Sequence, residues 1–336
     1  LTRHATAGTA PLAARDTRRR LLGAVDLGGT KILTAVAALD GRWLAEDRRE
    51  TEVERGPEGV IARILDSLDA ALREAEADRT NLAALGVAAP GPIDFARGVI
   101  LDAPNLPGWH ELALAARLGD TLGCPAVLEN DANAAALGEH VFGAGRGARH
   151  LIYLTVSTGV GGGLVLDGRL YRGATGSASE LGHILIDEGG PLCGCGARGC
   201  LEALASGTAI AARGTEAVRL GHGDAIAHLA GGGEVSAAHV AAAAAAGDTV
   251  AAAIIAHAAH ALGLGLADFV NVFNPDVIVI GGGVAKIGSP LLDPALATMR
   301  ARAFKGPATH VRVLASELGD NAVAAGALVL ARDLVK

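Results

Sequence analysis

The apolar positions of this 336-residue chain fall into short runs punctuated by glycine turns. Leu21 to Val25 is one such run and ends in Asp26-Leu27-Gly28-Gly29-Thr30-Lys31. A second strand is expected over Ile32 to Leu39. It turns at Asp40-Gly41, a pair that favours tight hairpins, into Arg42-Trp43-Leu44. About 130 residues later the order returns. Leu151 to Val156 is apolar, Ser157-Thr158-Gly159-Val160-Gly161-Gly162-Gly163 is the turn, and Leu164-Val165-Leu166 passes through Asp167-Gly168 into Arg169-Leu170-Tyr171. Strand, glycine turn, strand, Asp-Gly turn, strand occurs twice, which predicts a duplicated α/β domain.

Between the copies, Val60, Ile61, Ile64, Leu65, Leu68 and Leu72 have helical spacing and predict a helix over Gly59 to Ala77. Leu82 to Ala88 reads as a strand, stopped by Pro90-Gly91-Pro92. Pro125 to Leu128 reads as a buried strand breaking into a helix at Glu129-Asn130-Asp131, with Asp131 at the junction. An Asp there serves as a helix cap, yet it also stands where open α/β sheets gather their chemistry. After the second copy, one long Ala-rich helical region is expected from Ser236 to Phe269, and Gly221 to Gly233 reads as a loop. The buried strand Val277 to Ile280 runs into Gly281-Gly282-Gly283. A strand over Val311 to Leu314 and a terminal helix over Asn321 to Leu334 close the chain.

Composition narrows the picture. Half the residues are apolar but only 3% are aromatic, so the core must be Ala, Val, Leu and Ile, as in strands packed on Ala-faced helices. The length suits two domains. A net charge of −7 excludes a general nucleic-acid or membrane-surface binder. No apolar run reaches the roughly 18 residues needed to span a bilayer. The first twenty residues carry five Arg and no apolar segment, so they are no secretory signal. A disordered tail over residues 1–20 and a cytoplasmic location are expected, with no nucleic-acid or membrane partner.

Three features carry chemistry. Glycine turns between strands can aim backbone N–H groups at phosphates. In the first turn Asp26 could hold Mg²⁺, with the Thr30 hydroxyl and Lys31 charge beside it; neither turn is a Walker A loop. His183, Cys193, Cys195 and Cys200 offer one imidazole and three thiolates, a closed set for structural zinc in a glycine-rich loop. Asn105, Asn130, Asp131, Glu180, His183 and Glu202 are polar groups able to hold a polyol, with Glu180 and Glu202 just outside the first and last of the four metal-ligand candidates.

Asp26-Leu27-Gly28-Gly29-Thr30-Lys31, Glu129-Asn130-Asp131, Glu180-Leu181-Gly182-His183 and Cys193-Gly194-Cys195…Gly199-Cys200-Leu201-Glu202 together resemble the ROK family of bacterial sugar kinases and sugar-responsive repressors. The resemblance implies a duplicated actin/hexokinase-like (ribonuclease H-like) α/β fold with a cleft between two domains. Residues 21–130 plus 319–336 would form the smaller one, and 131–318, with a zinc loop at 183–200, the larger. It implies ATP-dependent phosphorylation of a hexose, glucose first, with Asp131 as general base. Asn105, Asn130, Glu180, His183 and Glu202 would bind the sugar. Asp26, Gly28, Gly29, Thr30, Lys31, Thr158, Gly159, Gly281 and Gly282 would belong to the nucleotide side, with ATP, Mg²⁺ and structural Zn²⁺ as cofactors. Homodimers or homotetramers are expected.

One residue departs from the pattern: Ser179 stands where Gly usually precedes the Glu-x-Gly-His motif. Fructose, mannose, allose and N-acetylmannosamine kinases share these motifs, so the acceptor is open among them. Repressors of the family place a helix-turn-helix domain ahead of the first glycine motif, and 25 residues precede Asp26 here. Kinases of the family that use polyphosphate generally lack the cysteine loop. An ATP-dependent kinase is therefore the expectation.

Overall fold

The computed structural model describes residues 20–103 and 105–336. The expected disordered tail lies outside the described residues apart from Arg20. The first sheet begins with β1 (Leu21–Leu27), β2 (Lys31–Ala38) and β3 (Trp43–Glu50), followed by helix α1 (Gly56–Glu74) and β4 (Leu82–Ala89). A small three-stranded sheet follows, β5 (Ile93–Asp94), β6 (Val99–Asp102) and β7 (His110–Leu112), and then α2 (Leu114–Leu122), β8 (Ala126–Asn130) and α3 (Asp131–Val141). The second half starts with β9 (Leu151–Val156), β10 (Val160–Leu166) and β11 (Arg169–Leu170). Five helices come next: α4 (Leu201–Ala205), α5 (Gly207–Arg219), α6 (Asp224–Ala230), α7 (Ala237–Ala245) and α8 (Thr249–Phe273). The chain ends with β12 (Val277–Gly281), α9 (Ser289–Arg302), α10 (Lys305–His310), β13 (Arg312–Ala315) and α11 (Ala322–Asp333).

The two large sheets have the same architecture. Their strand orders are β3-β2-β1-β4-β8 and β11-β10-β9-β12-β13, each an antiparallel hairpin pair followed by two parallel strands. The duplication read from the glycine turns is therefore present strand for strand. Parallel pairing brings Asp26 opposite Ala88 and Ala89 opposite Asn130, so the carboxyl ends of β1, β4 and β8 share one edge. Gly281 pairs with Thr155 at the matching edge of the second sheet.

Two helices tie the halves together. α3 follows the last strand of the first sheet but packs on β9 and β10, whereas α11 follows the last strand of the second sheet and packs on β1 and β4. They also cross each other, backbone against backbone. A Cβ on Gly326 would run into the Ala134 carbonyl, and one on Gly138 into that of Ala322. Glu139, wholly buried on α3, accepts hydrogen bonds from the Ser316 hydroxyl (2.6 Å) and from the N–H groups of Ala144 (2.8 Å) and Leu318 (2.9 Å). It thereby fixes the crossover into α11.

Three sequence readings are corrected. The stretch Gly221 to Gly233 contains α6, anchored by the fully buried Ile226. The region from Ser236 to Phe269 is two helices, broken at Gly247 (φ 95°) and restarted by Asp248, whose carboxylate caps Ala251 N–H at 2.7 Å. The cap of α3 is Asn130, whose side-chain oxygen accepts from Ala132 N–H (2.9 Å) and Asn133 N–H (3.2 Å), so Asp131 is the first helical residue. Contrary to the expectation that no segment is of spanning length, α8 is long and apolar enough to cross a membrane by length and composition. Here it is the central helix of the second half, with Ile255, Leu262, Leu266 and Phe269 buried in that core.

Candidate active site

A cavity of about 300 Å³ opens at the shared strand edge. Its walls come from Gly91 to Ile93, from Asn130 to Asn133, from Gly161 and Gly162, and from Gly176 to Glu180. Asn130, Asp131 and Glu180 thus meet in one place. Asp131 has an edge on the cavity while protein encloses the rest of it. That burial pushes its carboxyl above the usual range, and the charge of Glu180 adds to the push. Hydrogen bonds from backbone N–H groups and from Asn130 partly offset it. Asp26 lies close enough for Asp131 to act on it as well. Burial first, then the Asp131 charge, raise its pKa to about 7, against a lowering influence of Arg48.

Asn105 and Glu202 line a second cavity of about 620 Å³, together with Thr158, Gly159 and Cys193. One oxygen of Glu202 accepts from Val160 N–H at 3.0 Å, and the other lies 3.6 Å from the Cys193 sulfur. His183 connects the two groups. Its Nδ1 is 3.6 Å from the Cys193 sulfur, and its Nε2 is 3.9 Å from a Glu180 oxygen.

The ligand atoms of His183, Cys193, Cys195 and Cys200 all lie within 4.8 Å of one another. Sulfurs around tetrahedral zinc, with Zn–S near 2.3 Å, sit about 3.8 Å apart. Cys195 and Cys200 are 3.7 Å apart. Burial pushes the Cys193 thiol up to about 12 and the Cys200 thiol upward too, so a bare cluster resists becoming three thiolates. A bound cation removes that conflict, and the donor set fits one.

The glycine-turn residues expected on the nucleotide side lie at the carboxyl edges of both sheets. Gly28 N–H donates to the Lys31 carbonyl at 2.9 Å, closing the first turn, and Gly29 packs on the backbone of Asn105. The Thr158 carbonyl accepts from the Thr208 hydroxyl at 2.8 Å, and Gly159 abuts Glu202. Gly282 requires its φ of 92° and its missing side chain, because a Cβ would strike the Val156 carbonyl. Beside it is a third cavity of about 430 Å³, lined by Thr158, Val235, Ala238, Gly283, Val284 and Ile287 among others. Sequence reading missed this apolar slot: small aliphatic residues there look like any core.

Ser179 adopts φ 75°, a conformation that suits glycine, and its buried hydroxyl has no hydrogen-bond partner. Left-handed backbone and an orphaned hydroxyl each cost about 1–3 kcal/mol. Ser179→Gly is expected to raise the unfolding free energy by at least ~1 kcal/mol, read from the midpoint of chemical denaturation. A lower midpoint would mean that the side chain stabilises the turn.

A family model described as "ROK family" matches residues 22–334. The chain is 40% identical over 276 residues to a glucokinase of Thermotoga maritima, covering 82% of this chain and 85% of that protein. Its fold is similar to the crystal structure of a ROK hexokinase from Thermus thermophilus, with a TM-score of 0.79 at 38% identity, covering 94% and 99% of the two chains. It is also similar to a ROK glucokinase from Streptomyces griseus in complex with glucose and AMPPNP. There the TM-score is 0.78 at 36% identity, covering 93% of this chain and 99% of that one.

Proposed function

The chain belongs to the ROK family, and on that premise we propose that it is an ATP-dependent hexokinase that converts glucose to glucose 6-phosphate. The observation that carries the reading is the position of Asp131. It is a carboxylate of raised basicity on the wall of a sugar-sized cavity, within electrostatic reach of Asp26 in the first phosphate turn. The similarity to glucokinases, one of them solved with glucose and an ATP analogue, supports both substrates.

In this reading Asp131 accepts the proton of the sugar 6-hydroxyl as that oxygen attacks the γ-phosphorus of ATP. The bond from the γ-phosphorus to the bridging oxygen breaks and ADP departs. Asn130 caps the helix that carries Asp131, holding the base in place. Glu180 binds the sugar hydroxyls in the cavity of Asp131, and Asn105 and Glu202, which line the second cavity, would join it with His183 as the domains close. Gly28, Gly29, Thr30, Lys31, Thr158, Gly159, Gly281 and Gly282 hold the phosphates. Val235, Val284 and Ile287 give the base of the nucleotide an apolar slot. Asp26, a buried carboxylate with a second carboxylate nearby, fits a divalent cation; Mg²⁺ accompanying ATP would neutralise this pair and the charge on the transferred group. Closure of the two domains, 21–130 with 319–336 against 131–318, would exclude water from the phosphoryl group.

We assign structural zinc to His183, Cys193, Cys195 and Cys200, where four protein ligands leave no position for substrate. His183 then serves twice, Nδ1 on the metal and Nε2 toward the sugar beside Glu180. Free thiols fit a reducing, cytoplasmic setting. The homodimer or homotetramer rests on family resemblance alone.

The test is turnover with Mg-ATP against a panel of hexoses. Glucose is expected to show the highest kcat/KM, with phosphate on the 6-hydroxyl. Preference for N-acetylmannosamine would move the acceptor and leave the base in place. No turnover with any sugar would favour a regulator.

A further inference from the structure

Glu129 is an acidic side chain only 1% exposed, and the phosphoryl-transfer scheme gives it no part. One of its oxygens accepts from Asn133 Nδ2 and from Asn130 N–H, both at 3.0 Å, on either side of Asp131. The other accepts from Arg172 Nε at 2.6 Å. Arg172 comes from the far half of the molecule, just past β11. Its guanidinium lies 3.8 Å from the centroid of the Phe95 ring, in the turn between β5 and β6, and its carbonyl accepts from Ala178 N–H at 3.1 Å.

These three contacts coincide with three walls of the cavity around Asp131. Phe95 adjoins the wall from Gly91 to Ile93, Glu129 supports Asn130 to Asn133, and Ala178 belongs to the wall from Gly176 to Glu180. We infer that Arg172 is a positioning residue that holds the three walls of the acceptor pocket in register and, through Glu129, aims Asp131. The inference rests on the kinase reading for its substrate but not for its geometry. A guanidinium suits the task because it forms a directed hydrogen bond to a carboxylate and stacks its plane on an aromatic ring at once. An ammonium offers charge without the plane.

The experiment compares Arg172→Met, Arg172→Lys and Phe95→Ala with the wild-type chain. Kinetics with glucose and Mg-ATP are paired with calorimetric sugar binding in the absence of ATP. Arg172→Met removes both the ion pair and the stack, so kcat should fall and the KM for glucose should rise, each by about tenfold or more, the scale of a misaligned site. The KM for ATP should stay within about twofold, because the partners described for Arg172 are Glu129, Phe95 and Ala178 and not the glycine turns. Arg172→Lys keeps the charge opposite Glu129 and should largely preserve kcat while weakening sugar binding. Phe95→Ala should reproduce that phenotype, and the two changes combined should be less than additive.

If Arg172→Met lowers only the melting temperature, with kcat and sugar affinity within twofold of wild type, Arg172 is a structural tie and the inference fails. Should Arg172→Met not fold, Arg172→Lys and Phe95→Ala decide it: unchanged sugar affinity in both overturns the proposal. Wild-type turnover and calorimetry keep the kinase reading separate, since absent turnover on every hexose would refute that reading whatever the variants do.

Discussion

Asp131→Asn is expected to lower kcat by about 10²- to 10⁴-fold, the range for loss of a positioned general base, while sugar binding persists in weakened form. The helix geometry makes this a clean substitution. Asn130, not Asp131, caps α3 through bonds of 2.9 and 3.2 Å, so the helix start does not depend on the residue being changed. Asp131 accepts the neighbouring Ala132 N–H at 2.8 Å, and an amide oxygen can do the same. What disappears is proton affinity. Burial and Glu180 raise that affinity in the native carboxylate, and an amide has none to offer. Near-wild-type turnover in Asp131→Asn would transfer the base to another group and leave Asp131 as a polar wall residue.

Metal content and sugar affinity are expected to fall together in Cys195→Ser. The loop from His183 to Cys200 is glycine-rich and leaves some of its apolar side chains in the open. Leu185 and Leu192 are 56% and 65% exposed, and the loop folds back on itself through backbone bonds such as Ile186 N–H to the Gly199 carbonyl at 2.8 Å and Gly199 N–H to the Pro191 carbonyl at 2.9 Å. On the zinc assignment proposed above, the metal would supply the loop's core. Glu180 precedes the first proposed ligand by three residues, and Glu202 follows the last by two, so one centre would aim both carboxylates. The wild-type protein should contain about one zinc per chain on the four-ligand count. In the variant, the KM for sugar should rise by about tenfold or more as the carboxylates drift, by the misplacement scale. The KM for ATP should change much less, since the turn at Asp26 and Gly28 is built independently. Elemental analysis showing no zinc, or an unmoved sugar KM, would remove the loop from the account of sugar binding.

The strands and glycine turns were legible because their signals are local: continuous apolar runs, and glycines at the turns. The duplication followed from them, and the matching strand orders bear it out. The Cys–His cluster was legible from donor chemistry, and its atoms do converge. Other features had no local signal. Asn and Asp cap helices about equally well, so propensity could not choose between Asn130 and Asp131. Helix α6 buries only Ile226 and sits between glycine-rich stretches, which hides its periodicity. The strands of the small sheet are two to four residues long, too short for an alternating pattern. Glu129 and Arg172 are 43 positions apart, and only the tertiary fold makes them neighbours.

The exchange of α3 and α11 between the two sheets bears on how the chain matures during synthesis. One face of the first sheet, with Leu22, Ala24, Ala35, Ala37, Ala84 and Ala88, is covered by Ala327, Leu328 and Ala331 of the last helix. Those residues leave the ribosome after every strand of both large sheets. Until they do, a sheet whose first strand starts at Leu21 keeps an apolar side open to water, however early its hairpin pairs. The sheet begun first is thus completed only after the second one has been made, and the nascent chain carries that exposed surface until α11 emerges.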